Sequence, residues 1–418
     1  MAWLRCSEGE SVYVGHHCVK FDRSGGGGLD ILLIVEADIA TTALIERVLL
    51  ACAPMGVEYR KRYLRNLRLS DFDSRAIPMF VRVGDPGRDL WVDLLASAQR
   101  PYIYYIDDDF WRIKGNSPLA LYYQDPGVRR TLESFVRGAQ IVLTSSEVLQ
   151  AHLCRYSQAV RFVPAFFDFS LIRDVVPNSG TERRIGFAGS TSRKDDLAVV
   201  APAVEAVLSR FADVVFEFVG VLPAGVKPNP RVRFFPPMPD YSDFVRFQAS
   251  RGWQIGLAPL LANESNRSKT NNKFREYGAC GIAGIYSRLE PYSEVVHGET
   301  GLLVEHSSEA WATAIGDLLS NPDLARRVGE LARATVYARY SVDTVASQWA
   351  AEFEAVAAAC DSAHRFDQGA RWRLWWALMA VSLSSVSLRL TLAYREGGIK
   401  AVLVKGWRRA LRMLTRSG

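Results

Sequence analysis

The sequence predicts an α/β protein of two doubly wound parallel-sheet domains followed by a helical tail. Three observations carry that expectation. Apolar strand-like runs alternate with helical stretches from Leu29 onward, and a second alternating series starts at Arg184. A polar breaker stretch, Pro177–Glu182 (PNSGTE), separates the two series. A chain of 418 residues with 49% hydrophobic content is too long for one ordinary core and too apolar for disorder.

The elements follow in order. In the lead, Met1–Gly28, Ser11–Val14 and Cys18–Phe21 read as a small hairpin. Gly25–Gly28 precedes a strand, whereas a dinucleotide-type glycine loop follows one, so it reads as a flexible joint. The first domain, 29–176, opens on the strand Leu29–Val35 and the helix Thr41–Ala53. The strand Met79–Val83, the helix Leu90–Gln99 and the strand Pro101–Ile106 come next. Gly127–Gly138 is a helix, Ile141–Thr144 a strand, Ser145–Leu153 a helix with Ser145 at its N-cap, and Arg161–Pro164 a short strand. The second domain, 183–345, runs through the strand Arg184–Ala188, the loop Gly189–Asp195, the helix Leu197–Phe211 and the strand Val214–Val219. Arg231–Phe235 (strand), Tyr241–Ala249 (helix), Ile255–Ala258 (strand) and Ile282–Tyr286 (strand) complete its sheet. Asn321–Tyr340 and Val342–Ala359 are helical, the second of them overlapping a segment set at 346–364 that precedes a tail at 365–418.

Composition excludes several classes. The six cysteines, at 6, 18, 52, 154, 280 and 360, form no CxxC pair, so neither a zinc ribbon nor a disulfide scaffold is indicated. His16-His17-Cys18 is a metal-like cluster without a partner set. Met1–Asp22 has no apolar segment of the kind a signal peptide needs, which points to a cytoplasmic setting. Of the formal net charge of +6, the segment from Arg365 onward contributes +9 and the rest −3. A mildly acidic body argues against nucleic acid as a partner, and a basic tail argues for an anionic one.

The stretch Ser265–Glu305 carries the most chemistry. Lys269 and Lys273 stand at the mouth of a short helix, with Glu276 one turn later and a strand-like run directly after. A helix N-terminus offers free N–H groups and a partial positive charge to phosphate. Lysines there neutralise a pyrophosphate, and the carboxylate accepts hydrogen bonds from a ribose diol. That set suits a nucleotide diphosphate carrying a sugar.

The same residues carry a resemblance. Lys269…Lys273-Phe274-Arg275-Glu276-Tyr277-Gly278-Ala279-Cys280-Gly281, then Pro291-Tyr292…Glu294-Val295-Val296…Gly298-Glu299-Thr300-Gly301-Leu302-Leu303-Val304, resembles the donor-sugar site of GT-B glycosyltransferases. The nearest group is the retaining family-four (glycosyl transferases group 1) enzymes of bacterial surface-polysaccharide assembly. Ser268 stands where many relatives carry a first glutamate that touches the sugar, and Ala283 replaces a common proline. The resemblance implies two Rossmann-like domains facing a central cleft, the first for the acceptor and the second for the donor. It also implies that the helix at 346–364 crosses back to the first domain.

Arg184–Asp196 (RIGFAGSTSRKDD) is strand, small-residue loop and helix. Gly189, Ser190 and Thr191 let the backbone approach an anion, and Arg193 and Lys194 supply charge for a departing diphosphate. Relatives commonly have arginine directly after the glycine, where Ser190 stands here; Lys194 matches their second basic residue. Asn263, Ser265 and Asn266 are further candidates for the donor pocket. His297 lies in a turn resembling the family's HGETG piece and reads as structural.

Tyr102–Trp111 (YIYYIDDDFW) ends a strand of the first domain in Asp107, Asp108 and Asp109. Adjacent like charges cost energy unless solvated, paired or used. By resemblance, Asp107 takes the place of a histidine that touches the donor sugar, and Asp107 or Asp108 is expected to contact sugar hydroxyls or the acceptor; capping of the next helix is the structural alternative. The triple also contains the Asp-x-Asp with which GT-A glycosyltransferases hold a divalent metal. The diphosphate-binding lysines lie in the other domain, so no metal or other cofactor is expected.

In the tail, the uncharged run Leu374–Leu388 is too short to span a bilayer. Trp372, Trp375 and Trp376 beside Arg371 and Arg373 resemble an interfacial anchor, and Ile399–Arg416 reads as a basic amphipathic helix. The expectation is docking of 371–418 on the anionic inner face of a membrane, with packing on the body or a second copy as the alternative.

The expected activity is therefore transfer of a hexose from a nucleotide-diphosphate donor to a lipid-linked or polysaccharide acceptor in bacterial cell-surface glycan synthesis, O-antigen or capsule. The resemblance implies retention of anomeric configuration. Asp107, Asp108, Lys194 and Lys269 are the candidate catalytic residues. Gly189, Ser190, Arg193, Lys194, Asn266, Lys269, Lys273 and Glu276 are the candidate donor-binding residues. A catalytically degenerate scaffold at the membrane and a metal-dependent Asp-x-Asp enzyme remain as alternatives.

Overall fold

The computed structural model describes residues 11–14, 17–20, 28–72, 74–227, 229–238, 240–360, 366 and 369. The expected membrane-docking tail, 371–418, lies outside them. The chain divides into two compact units, Met1–Val163 with Ser347–Gly418, and Pro164–Ala346.

In the first unit, β1 (Ser11–Val14) and β2 (His17–Lys20) pair antiparallel, Ser11 opposite Lys20. The main sheet holds β3 (Leu29–Val35), β4 (Val57–Tyr63), β5 (Ile77–Val81), β6 (Ile103–Tyr105), β7 (Ile141–Thr144) and β8 (Val160–Phe162). All are parallel, in the order β4-β3-β5-β6-β7-β8. The helices are α1 (Ala40–Ala51), α2 (Leu90–Ser97), α3 (Pro118–Gln124), α4 (Pro126–Gly138) and α5 (Glu147–Leu153). Ile31–Val35 is buried without a break, because helices cover both faces of a parallel sheet. In α4, Val128, Leu132, Phe135 and Val136 share one helical face and are buried in the core, where Phe135 stacks on Tyr104 with ring centroids 5.3 Å apart. Asp125 caps this helix by accepting from the N–H groups of Gly127 and Val128.

Several local expectations need correction here. Ser146, not Ser145, is the N-cap of α5 and accepts from the Leu149 N–H. The strand β4 (VEYRKRY) was not expected, since its run of charge hides the period. It is an edge strand, where lysine and arginine are tolerated and guard against sheet extension. Its Lys61 bonds to Asp38 and Glu46, each at 3.0 Å. Helix α3 was also missed.

In the second unit, the sheet holds β9 (Arg183–Ala188), β10 (Val214–Val219), β11 (Val232–Phe235), β12 (Trp253–Ala258), β13 (Ala283–Ser287) and β14 (Leu302–Val304). It is all parallel in the order β11-β10-β9-β12-β13-β14. Counted within the unit this is the Rossmann order 3-2-1-4-5-6. The helices are α6 (Val200–Arg210), α7 (Tyr241–Ser250), α8 (Glu264–Arg267), α9 (Asn272–Ala279), α10 (Ser308–Ser320) and α11 (Pro322–Tyr340). The final helix, α12 (Val342–Cys360), begins in this unit and continues into residues of the other. The helix expected from Leu197 starts as a 3-10 turn, Asp196–Val199, and α10 was missed.

Two cores sandwich this sheet. Val204, Trp311 and Ile315 pack on one face with Ile185, Phe216 and Leu257. Phe274, Tyr277 and Val336 pack on the other with Trp253 and Tyr286. Burying each such side chain contributes about 1.5–3 kcal/mol. Helix α9 fits there because Gly278 lacks a Cβ, which would lie 2.7 Å from Val336 and 3.1 Å from the Ala332 carbonyl. The division between units falls ahead of the polar stretch 177–182, because Phe167 belongs to this core and its N–H donates to the Tyr340 carbonyl at 2.8 Å.

Candidate functional site

In a doubly wound sheet, ligands sit beyond the carboxyl ends of the strands, where the strand order reverses. In the second unit that place lies between β9 and β12. The loop Gly189–Asp195 follows β9, and the segment carrying Asn266, Lys269, Lys273 and Glu276 follows β12. The first loop is held close to its neighbour: the Gly189 N–H donates to the Val219 carbonyl, and a Cβ on Gly220 (φ +84°) would stand 2.2 Å from the Gly189 oxygen. Ser190 and Ser192 bond to each other at 2.8 Å across an exposed turn.

Asp196 joins the two loops. It is 4% exposed. One carboxylate oxygen accepts from the Leu261 N–H at 2.9 Å and from Asn266 Nδ2 at 2.8 Å, and the other accepts from Arg193 Nη1 at 3.1 Å. Asn266 is 5% exposed, and its amide also donates to the Leu261 carbonyl. Asn266 and part of the Arg193 guanidinium are thus engaged in tying the loops. Lys194 differs. It is exposed, and its side chain has no hydrogen-bond or ion-pair partner among the described residues.

Helix α9 begins without a side-chain cap, because Asn271 Oδ1 accepts from Arg275 Nε at 2.8 Å, while its Nδ2 donates to Glu294 and to the Tyr340 hydroxyl. No acid occupies its first turn. The positive end of the helix is therefore open to an anion, with half-buried Lys273 in that turn and half-buried Lys269 just ahead. Lys273 forms an ion pair with Glu276, which is 5% exposed, and lies over the rings of Phe244 and Tyr277. Ser268 donates its hydroxyl to the Glu264 carbonyl at 2.9 Å and is buried. Tyr292 shows that the two segments converge. Burial pushes its hydroxyl pKa up, and the charges of Arg193, Glu276 and Asp196 all act on it, the first opposing the rise and the others adding to it.

In the first unit the order reverses between β3 and β5. Thr41 follows β3, Arg82 follows β5, and Asp107 and Asp108 follow β6. Thr41 Oγ1 donates to Asp107 Oδ2 at 2.7 Å and accepts from Arg82 Nη1 at 3.0 Å. The Arg82 guanidinium reaches Asp107 and Asp108, each at 3.2 Å, and lies 4.7 Å from the Phe110 ring centre. Arg82 holds this position with φ +52°, a left-handed conformation that costs an ordinary residue about 1–2 kcal/mol. Burial lifts the Asp107 carboxyl above its ordinary range, against the pull of Arg82. Asp109 turns away: it is 5% exposed and bonds to His152 Nδ1 at 2.9 Å and Arg112 Nε at 3.2 Å. The three carboxylates therefore part, two toward Arg82 and one into the core. His297 is structural in its geometry, since its Nδ1 accepts from the Leu303 N–H.

Sequence reasoning missed Arg82, Thr41 and Asp196. Arg82 was absorbed into a strand read through Val83. The spacing of Arg193 and Asp196, three residues apart on a helical turn, was the available signal for the last.

Two doubly wound units in one chain, each with a polar cluster at its switch point, define a GT-B-fold protein. Residues 182–321, which lie within the second unit, match the family model described as glycosyl transferases group 1. Sucrose-phosphate synthase from Thermosynechococcus elongatus is similar in structure, with a TM-score of 0.58 at 14% identity over 79% of this chain and 100% of that one. HepE from Anabaena, in complex with UDP and glucose, gives 0.57 at 14% identity over 78% and 100%. A glycosyltransferase from Rickettsia africae gives 0.55 at 14% identity over 79% and 98%. At these identities the likeness is one of fold. A search of curated proteins gives no match.

Proposed function

We propose that this chain is a glycosyltransferase that binds a nucleotide-diphosphate sugar on its second unit. The observation that supports the reading is that Asp196 ties the loop carrying exposed Lys194 to Asn266, in the segment that carries Lys269, the helix end without a side-chain cap and the Lys273–Glu276 ion pair. Glu276 receives the ribose hydroxyls. Lys194, Lys269 and Lys273 surround the diphosphate, whose charge grows as the glycosidic bond breaks, so they contribute most to the rate. Gly189 and Ser190 supply close backbone approach. Asn266 and Arg193 keep the loops in place through Asp196. In the first unit, Asp107 and Asp108 accept hydrogen bonds from hydroxyls of the sugar or acceptor.

The finer reading is a hexosyltransferase that retains anomeric configuration and acts in bacterial surface-glycan assembly, of O-antigen or capsule type, on a lipid-linked or polysaccharide acceptor. It rests on the family match and the motif over Lys269–Val304. The basic 371–418 segment would hold the enzyme at the inner face of the membrane. No helix among the described residues is long and apolar enough to cross a membrane. The reading needs no divalent metal, because lysines neutralise the diphosphate and Asp109, the second member of the Asp-x-Asp, is committed to His152 and Arg112.

A thermal-shift screen of the full chain with UDP-, GDP-, dTDP- and CMP-sugars tests the reading. One base class should raise Tm, with UDP-glucose the first probe because HepE has been captured with it. The degenerate-scaffold alternative draws on Ser268, a buried hydroxyl where relatives carry a glutamate. It predicts no shift with any sugar nucleotide. Turnover lost in EDTA and restored by a divalent cation would favour the Asp-x-Asp alternative.

A further inference from the structure

Arg82 combines three properties that a turn residue does not need. Its backbone is left-handed at φ +52°, where glycine or asparagine would sit with less strain. Its guanidinium is mostly covered, with 19% side-chain exposure, and stacks on Phe110. Its charge bridges two carboxylates on another strand end, at 3.2 Å to each.

The surroundings limit what that side chain can do. The groups facing it are Asp107, Asp108, Thr41 and the Tyr123 hydroxyl, and Glu36 acts on Tyr123 from the end of β3. Thr41 spends its proton on Asp107 Oδ2, so Asp107 is fixed from two sides while Asp108 stays exposed. Asp107 Oδ1 is buried, and its contact with Arg82 is an ion pair without an aligned hydrogen bond. That oxygen retains capacity for a further donor.

We propose that Arg82 is a positioning residue for the transfer reaction: it holds the Asp107 and Asp108 carboxylates in place, as a two-carboxylate acceptor for hydroxyl groups of the sugar or acceptor. The inference rests on the functional reading above only for what those carboxylates bind. A protonated Asp107 would lose half its accepting capacity, and an unclamped one would lose its direction.

The test uses the full chain with 13C-labelled aspartate side chains, followed by NMR from pH 3 to 8, with Asp107 assigned by its loss in Asp107→Asn. In Arg82→Gln the Asp107 midpoint rises by about one unit or more, and Arg82→Lys returns most of that shift. In Asp108→Asn, an exposed change expected to leave the fold intact, the midpoint falls, because a like charge that shares Arg82 is gone. Turnover of UDP-glucose then drops in Arg82→Gln through kcat, about tenfold or more with little change in KM, and recovers in part in Arg82→Lys. Midpoints unmoved in folded Arg82→Gln, or in Asp108→Asn should the former not fold, would overturn the proposal. A wild type inert toward all sugar nucleotides would defeat the functional reading instead, and the titration would still decide the role of Arg82.

Discussion

Asp196 accepts the side-chain amide of Asn266 at 2.8 Å and so fastens the loop after β9 to the segment after β12. With the Leu261 N–H and Arg193 also bonded to it, this one buried carboxylate sets the distance between the two walls of the candidate donor site. Asp196→Ala leaves several donors unsatisfied. The expected loss is about 1–3 kcal/mol of stability, read by urea denaturation, with about tenfold or greater weakening of UDP binding. Asn266→Ala should show a smaller version of both effects.

Lys194→Ala separates chemistry from folding. The side chain is exposed and has no partner among the described residues, so its removal should leave Tm within about 1–2 °C of wild type. Turnover should fall about 10²–10³-fold, the range expected when one preorganised charge is lost from a developing anion. A kinetic assay of nucleoside diphosphate release measures it.

Glu276 is proposed to receive the ribose diol and is paired with Lys273 in the free protein. Glu276→Gln should weaken UDP binding by about tenfold, while a 2′-deoxy nucleotide, which already lacks one donor, should lose less. Calorimetric titration of both ligands against both proteins closes the cycle. Additive losses would argue that Glu276 does not touch the ribose.

Acid stability should depend on Glu217. Burial opposes its ionisation, but hydrogen bonds from Arg251 and Trp253 and the charges of Arg251 and Arg184 outweigh burial and hold its carboxyl below the ordinary range. A group lowered on folding contributes its stability above the unfolded value, near pH ~4.3, and loses it as pH falls through the folded value. Glu217→Gln should therefore cost about 3–5 kcal/mol at pH 7 by stranding arginine charge, and its stability should change less than that of wild type as pH falls below about 4.5.

The fold was legible because both sheets are parallel and buried. Runs such as Leu29–Val35 and Val214–Val219 stand out when no face needs to be polar. Edge strand β4 was not, since one neighbour and a charged exterior remove that signal. In the second unit, Lys269, Lys273 and Glu276 lie within one turn and two of local chain, so their grouping shows in sequence spacing. The Asp196–Asn266 and Arg82–Asp107 contacts join strand ends far apart in sequence. Only the strand order brings those residues together, and no local pattern encodes it. The opposite fates of Asp107 and Asp109 were equally hidden, since His152 comes from α5.

Calorimetric titration of the full chain with UDP, GDP, dTDP and CMP, repeated on the Lys194→Ala/Lys269→Ala double variant, tests the central claim most directly. The account predicts one nucleotide bound at one site per chain, weakened about 100-fold or more in the double variant. No binding of any nucleotide, or binding that the double variant leaves unchanged, would contradict it.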